Sequence, residues 1–142
     1  MVTTVAISTL LILNVMDLNE THLTNPLWTG HARFHWAIEH MQTCILNILA
    51  IFLVWQKQQT KLVLLLACLL PMLFWGLFPF TVFFPNADSW PDGIAHPTNW
   101  PNWLNQFPPH KIFSLVFSIT CITAAALFIS DKKNNHQLNQ AI

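Results

Sequence analysis

Two long stretches without a formal charge decide what this chain can become. Residues 62–84 (LVLLLACLLPMLFWGLFPFTVFF) and 112–130 (IFSLVFSITCITAAALFIS) contain no Asp, Glu, Lys or Arg. An apolar run of roughly 18 residues or more is long enough to cross a bilayer as a helix. In lipid, every backbone N–H and C=O must be satisfied within the protein, so helix is the form such runs take. Composition agrees: 54% of residues are hydrophobic and 8% are charged, against about 25% charged in a soluble domain.

Two further spans are shorter. Residues 41–55 (MQTCILNILAIFLVW) are apolar, and a helix beginning near Ala32 would lengthen them at the charged end. Residues 2–16 (VTTVAISTLLILNVM) reach only about 22 Å at 1.5 Å per residue, short of a hydrocarbon core of about 30 Å. The first helix therefore either thins the bilayer or continues past Asn14 and Asp17. A cleaved signal needs a basic start, and no Lys or Arg precedes Arg33, so we expect a retained helix. The sequence thus predicts an all-α fold. It is an integral membrane antiparallel four-helix bundle forming a single domain over 1–142, with helices near 2–20, 32–55, 61–84 and 111–130. Apart from Ala124-Ala-Ala126 the spans show few small residues, which predicts packing by side-chain fit. Cys44, Cys68 and Cys121 all fall in predicted spans and read as small apolar residues, not a disulfide framework. With a net charge of zero the chain has no nucleic-acid footprint.

Lys57 and Lys61 flank the connection between the second and third spans, and Lys132 and Lys133 follow the fourth; Arg33 and Lys111 lie opposite. The positive-inside rule then predicts both termini in the cytoplasm. The other polar residues divide more unevenly. Six of the seven histidines (His22, His31, His35, His40, His96, His110) fall on the outer side. So do five of the six acids (Asp17, Glu20, Glu39, Asp88, Asp92) and Trp28, Trp36, Trp90, Trp100 and Trp103. Indoles favour the headgroup zone on their own account; histidines mixed with carboxylates do not. The outer connection over 85–110 is long for a helix bundle. Its six prolines oppose regular helix, and Asp92-Gly93 marks a turn. A stiff aromatic loop of this kind suits a lid, with Trp90, Trp100 and Trp103 shaping the entrance to a bound cofactor or ligand, and equally a passive interfacial cap. In the third span, Pro71 and Pro79 each free a carbonyl one turn back.

The chemistry-bearing residues lie between the first two spans. His31, His35 and Glu39 are four apart and form one helical stripe, with His40 about 100° away. Imidazole and carboxylate together suit Zn²⁺, Fe²⁺ or Mn²⁺. A divalent metal held by Glu20, His22, His31 and His35 is one expectation, with Asp17 as a further ligand or base and Glu39 orienting His35. A second uses His35 and Glu39 as a metal-free general acid and base on a lipid-like substrate, with Arg33 taking an anionic headgroup. A third is a hydrogen-bonded polar cap joining the first two helices. The matching functions are a membrane enzyme acting on a lipophilic small molecule and a non-enzymatic lipid-binding or accessory protein, associating with its own copies or with a partner subunit.

Asn19-Glu-Thr-His22, Asn25-Pro26, Trp28 and His31-Ala-Arg-Phe-His35 resemble the N-E-T-H…N-P-x-W-x-x-H-A-(K/R)-F-H signature of a family of small, uncharacterised four-helix membrane proteins of fungi and bacteria. The likeness covers roughly 14–47. It implies that Asp17, Glu20, His22, His31 and His35 act as one site, in a bacterial inner membrane or a fungal endoplasmic reticulum. His35-Trp-Ala-Ile-Glu39 is more faintly similar to the H-x-x-x-E step of the emopamil-binding sterol isomerase superfamily, whose usual five helices and further acids have no counterpart here.

Overall fold

A computed structural model describes residues 1–58, 60–85, 93, 100, 101, 103 and 109–140, with the backbone alone for Val82 and 131–140. Among the described residues the regular structure is all helical. There are four α-helices, α1 (Val2–Asp17), α2 (Gly30–Trp55), α3 (Lys61–Trp75) and α4 (Pro109–Gln140), and one 3₁₀ segment, Phe78–Phe83. Three stretches are long and apolar enough to cross a membrane: Gly30–Trp55, Lys61–Thr81 and Pro109–Ser130. They make this an integral membrane protein.

The helix boundaries have local causes. Thr29 caps α2, its Oγ1 accepting from Ala32 N at 3.2 Å, so α2 begins at Gly30, two residues ahead of the expected start. Thr60 does the same for α3 through Val63 N. Helix α1 stops at Asp17, short of the expected residue 20, because the following loop takes over its last carbonyls. Asn19 Nδ2 donates to Val15 O, Thr21 Oγ1 to Met16 O, and Leu23 N to Asp17 O. These groups have no partner within a helix. The expected span 61–84 divides at Gly76, whose N–H donates to Met72 O at 2.8 Å. Beyond it Pro79 has no N–H to give to Trp75 O; Ser114 Oγ of α4 donates there instead, at 2.6 Å. The fourth helix continues past residue 130 through the polar tail to Gln140.

Helix α1 contacts all three others, while α2 packs on α3 and α3 on α4. Trp55, closing α2, donates from Nε1 to Thr3 Oγ1 at the start of α1. A cluster of Val2, Ala50, Ala67, Cys68 and Ala124 lies at this end of the helices. Most buried apolar positions are small: Ala6, Ala50, Ala67, Cys68, Cys121 and Ala124. The few small residues are concentrated where helices meet, which lets backbones approach closely where no hydrophobic effect drives association. Large apolar side chains point outward instead: Leu11, Val15, Phe52, Leu62 and Ile122 are each more than half exposed. The buried polar residues Thr9, Thr43, Asn47 and Ser114 lie inside, the distribution expected of helices solvated by lipid.

Candidate functional site

On α2 the buried positions Thr43, Asn47 and Ala50 step by four and three. Continued backwards, the same face carries His40 and Trp36. Against it lies the segment that leaves α1. Its turn is built on Asn25, which is fully buried: Oδ1 accepts from Leu27 N at 2.9 Å, and the backbone carbonyl accepts from Trp28 N and from Arg33 Nη2, the latter at 2.7 Å. The Asn-Pro step thus closes the loop, and Arg33 fastens it to α2.

This loop sets the His22 ring against two indoles. Trp28 meets it edge-on at 5.2 Å between centroids, and Trp36 lies at 6.5 Å. Trp36 in turn lies tilted at 4.9 Å from His40, whose Nδ1 is buried without a hydrogen-bond partner among the described residues. His22 Nδ1 lies 2.8 Å from Thr21 Oγ1. The single hydroxyl hydrogen of Thr21 goes to Met16 O, at 2.6 Å, and a carbonyl can only accept. Thr21 Oγ1 must therefore accept from His22, which places the hydrogen on Nδ1 and the lone pair on Nε2.

Asp17 Oδ1 lies 3.6 Å from the same Nδ1, close but beyond hydrogen-bond length. Asp17 is the first residue past the apolar run 2–16, and both it and His22 are half-buried. Burial pushes the Asp17 carboxyl up to about 6, and the nearby Glu39 carboxylate adds to the rise. Burial also holds the His22 imidazole below its ordinary value, with His40 adding to the fall. Desolvation thus outweighs mutual attraction, and the pair favours its uncharged forms.

The four expected metal ligands do not meet. His31 and His35 are exposed and face each other, Nε2 to Nε2, at 3.0 Å. Glu20 is exposed, and His22 is enclosed by Thr21, Trp28 and Trp36. Among the described residues no three His, Cys, Asp or Glu side chains are grouped to hold one ion. The reason is angular: the 31–35–39 stripe sits about 100° from the half-buried Trp36–His40 face, so it turns away from the loop. His35 Nε2 meets His31 Nε2, and the Glu39 carboxylate bears on Asp17. Arg33 Nη2 donates to the Asn25 carbonyl.

Of the aromatic entrance, Trp100 is half-buried and Trp103 is 58% exposed; Trp90, with Asp88, Asp92 and His96, lies outside the described residues. Gly93 carries the positive φ of a turn, 74°. A Cβ there would fall 2.5 Å from Leu27 Cδ1, so the long connection touches the first loop at that point. Sequence reasoning missed Thr21, Trp28, Trp36 and His40 as site residues. No family model, no curated protein and no solved structure matches this chain.

Proposed function

We propose that this protein is an antiparallel, up-down-up-down bundle with cytoplasmic termini that moves protons on a lipophilic substrate at its outer mouth. The observation that carries this reading is the 2.8 Å contact of His22 Nδ1 with Thr21 Oγ1, whose own hydrogen goes to Met16 O, from which the His22 tautomer follows. With Nδ1–H fixed on Thr21, Nε2 is a neutral base at pH 7, walled by the Trp28 and Trp36 rings. Asp17, whose carboxyl holds its proton up to about pH 6, is the matching acid. Two titratable groups whose environments set them to different tasks are the usual basis of acid–base catalysis near neutrality. His22 Nε2 accepts a proton from the substrate and Asp17 returns one to it. Exchange with solvent then takes the proton from His22 Nε2 and returns one to the Asp17 carboxylate, which resets the pair while Nδ1–H stays on Thr21. The indole walls and the exposed apolar helix faces suit a lipid-like substrate arriving from the bilayer, and the Gly93–Leu27 contact supports the long connection acting as a lid.

The test is to compare lipid extracts, by mass spectrometry, from membranes containing the natural protein, His22→Gln or Asp17→Asn. A substrate–product pair should shift with the natural protein and with neither variant. Identical extracts from all three, with each protein folded, would overturn the reading.

A second reading is favoured by the capping of α1. Asn19, Thr21 and Leu23 satisfy its terminal carbonyls, so the cluster also serves as a polar clasp in a non-enzymatic lipid-binding or accessory protein. On that reading His22→Gln lowers thermal stability and leaves every lipid unchanged.

A further inference from the structure

His31 and His35 stand apart from the site above and are not used by it. They lie one turn apart near the start of α2, both exposed, with ring centroids 4.4 Å apart at 87°. Their Nε2 atoms are 3.0 Å apart. Metal–imidazole bonds are about 2.0–2.1 Å long, so two neighbouring ligands sit about 2.9 Å apart at a right angle and about 3.4 Å apart at the tetrahedral angle. The observed separation falls within that interval. The backbone beneath is fixed by the Thr29 cap, and Phe34 meets the His35 ring edge-on at 5.6 Å.

We propose that His31 and His35 form a two-nitrogen clamp for a divalent transition metal ion of the zinc, copper and nickel group. Imidazole suits these ions, and two histidines at i and i+4 bind from one helix face. The exposed setting leaves the remaining coordination positions to water or to an outside ligand. Glu20 and His22 take no part, which separates this clamp from a four-ligand centre. The proposal does not rest on the acid–base reading, since the two sites share no residue.

The same distance also suits a simple N–H···N hydrogen bond, and titration separates the two. The full chain, purified in detergent, is titrated calorimetrically with Zn²⁺ alongside His31→Ala, His35→Ala and His22→Gln. The natural protein and His22→Gln should each bind one ion. Each single alanine variant should lose about a hundredfold in affinity, because the second nitrogen binds as an intramolecular partner. Both histidines are exposed, so helicity by circular dichroism should be unchanged in the alanine variants. No binding by the natural protein up to about 1 mM Zn²⁺, undiminished binding in the alanine variants, or loss of binding in a folded His22→Gln would each overturn the clamp.

Discussion

Trp75 Nε1 donates to Thr9 Oγ1 at 2.7 Å, across from the end of α3 to the middle of α1. Thr9 passes its own hydrogen to Val5 O at 2.8 Å, and the Trp75 carbonyl accepts from Ser114 on α4. One residue thus joins three helices through polar contacts in an interior otherwise lined with small side chains.

Thr9→Val keeps the shape of the side chain and removes the acceptor. The buried indole N–H is then left without a partner, which costs about 1–3 kcal/mol. Interhelical bonds in membranes average nearer 0.6 kcal/mol, so a loss of about 1 kcal/mol is the expected outcome. Unfolding in mixed micelles measures it, and Thr9→Ser should recover most of it.

Ser114→Ala should destabilise by a similar amount, because Pro79 cannot serve the Trp75 carbonyl. Pro79→Ala supplies an N–H for that carbonyl. The double variant should then fall short of the summed single losses by about 0.5 kcal/mol or more, the signature of coupled positions. Strict additivity would show that Ser114 and Pro79 do not compete for the same oxygen.

Arg33→Met removes the donor that holds the Asn25 carbonyl at 2.7 Å while keeping much of the aliphatic stem. The loop between α1 and α2 should open and become cleavable by an added protease. Helix content should be unchanged. Asn25→Ala should also loosen the turn by a separate route, since it keeps the carbonyl that Arg33 holds and removes the side-chain acceptor of Leu27 N.

Asp17 gives stability a definite slope with pH. Its carboxyl is raised from 3.8 to about 6 in the folded protein, so its contribution is complete below about 4 and is lost as pH rises through 6. His22, held below its ordinary value, acts the other way: its contribution is present above about 6.5 and is lost as pH falls through its lowered folded value. Asp17→Asn removes the first slope alone. The melting temperature of the variant should exceed that of the natural protein at pH 7.5 by about 2–4 °C and lose the advantage near pH 4. Parallel melting profiles over that range would count against a desolvated Asp17.

Much of the fold was legible because lipid leaves a helix little choice. The uncharged runs located three spans and Pro79 fell where regular α-helix gives out, whereas the Thr29 and Thr60 caps went unread and Pro71 sits inside a continuous helix. The site was less legible, since a stripe of like residues says nothing of the direction it faces. His31, His35 and Glu39 share a stripe, yet it is Thr43, Asn47 and Ala50 further along α2 that identify the buried face, and that face leads back to His40 and Trp36. Extending the buried register upstream would have found them. Thr21 had no such signal: its role depends on the end of α1 presenting the Met16 carbonyl, a position that only the folded loop defines.

The 16 residues of α1 rise about 24 Å, several ångström less than an ordinary hydrocarbon core of about 30 Å. Were α1 to cross the bilayer beside Gly30–Trp55, Lys61–Thr81 and Pro109–Ser130, the two leaflets would draw together on one flank of the protein, at a fraction of a kcal/mol per ångström. The molecule would then carry an asymmetric strain field into the lipid around it. Partition between membranes of differing thickness should favour the thinner one, and lengthening α1 by one leucine turn should abolish the preference.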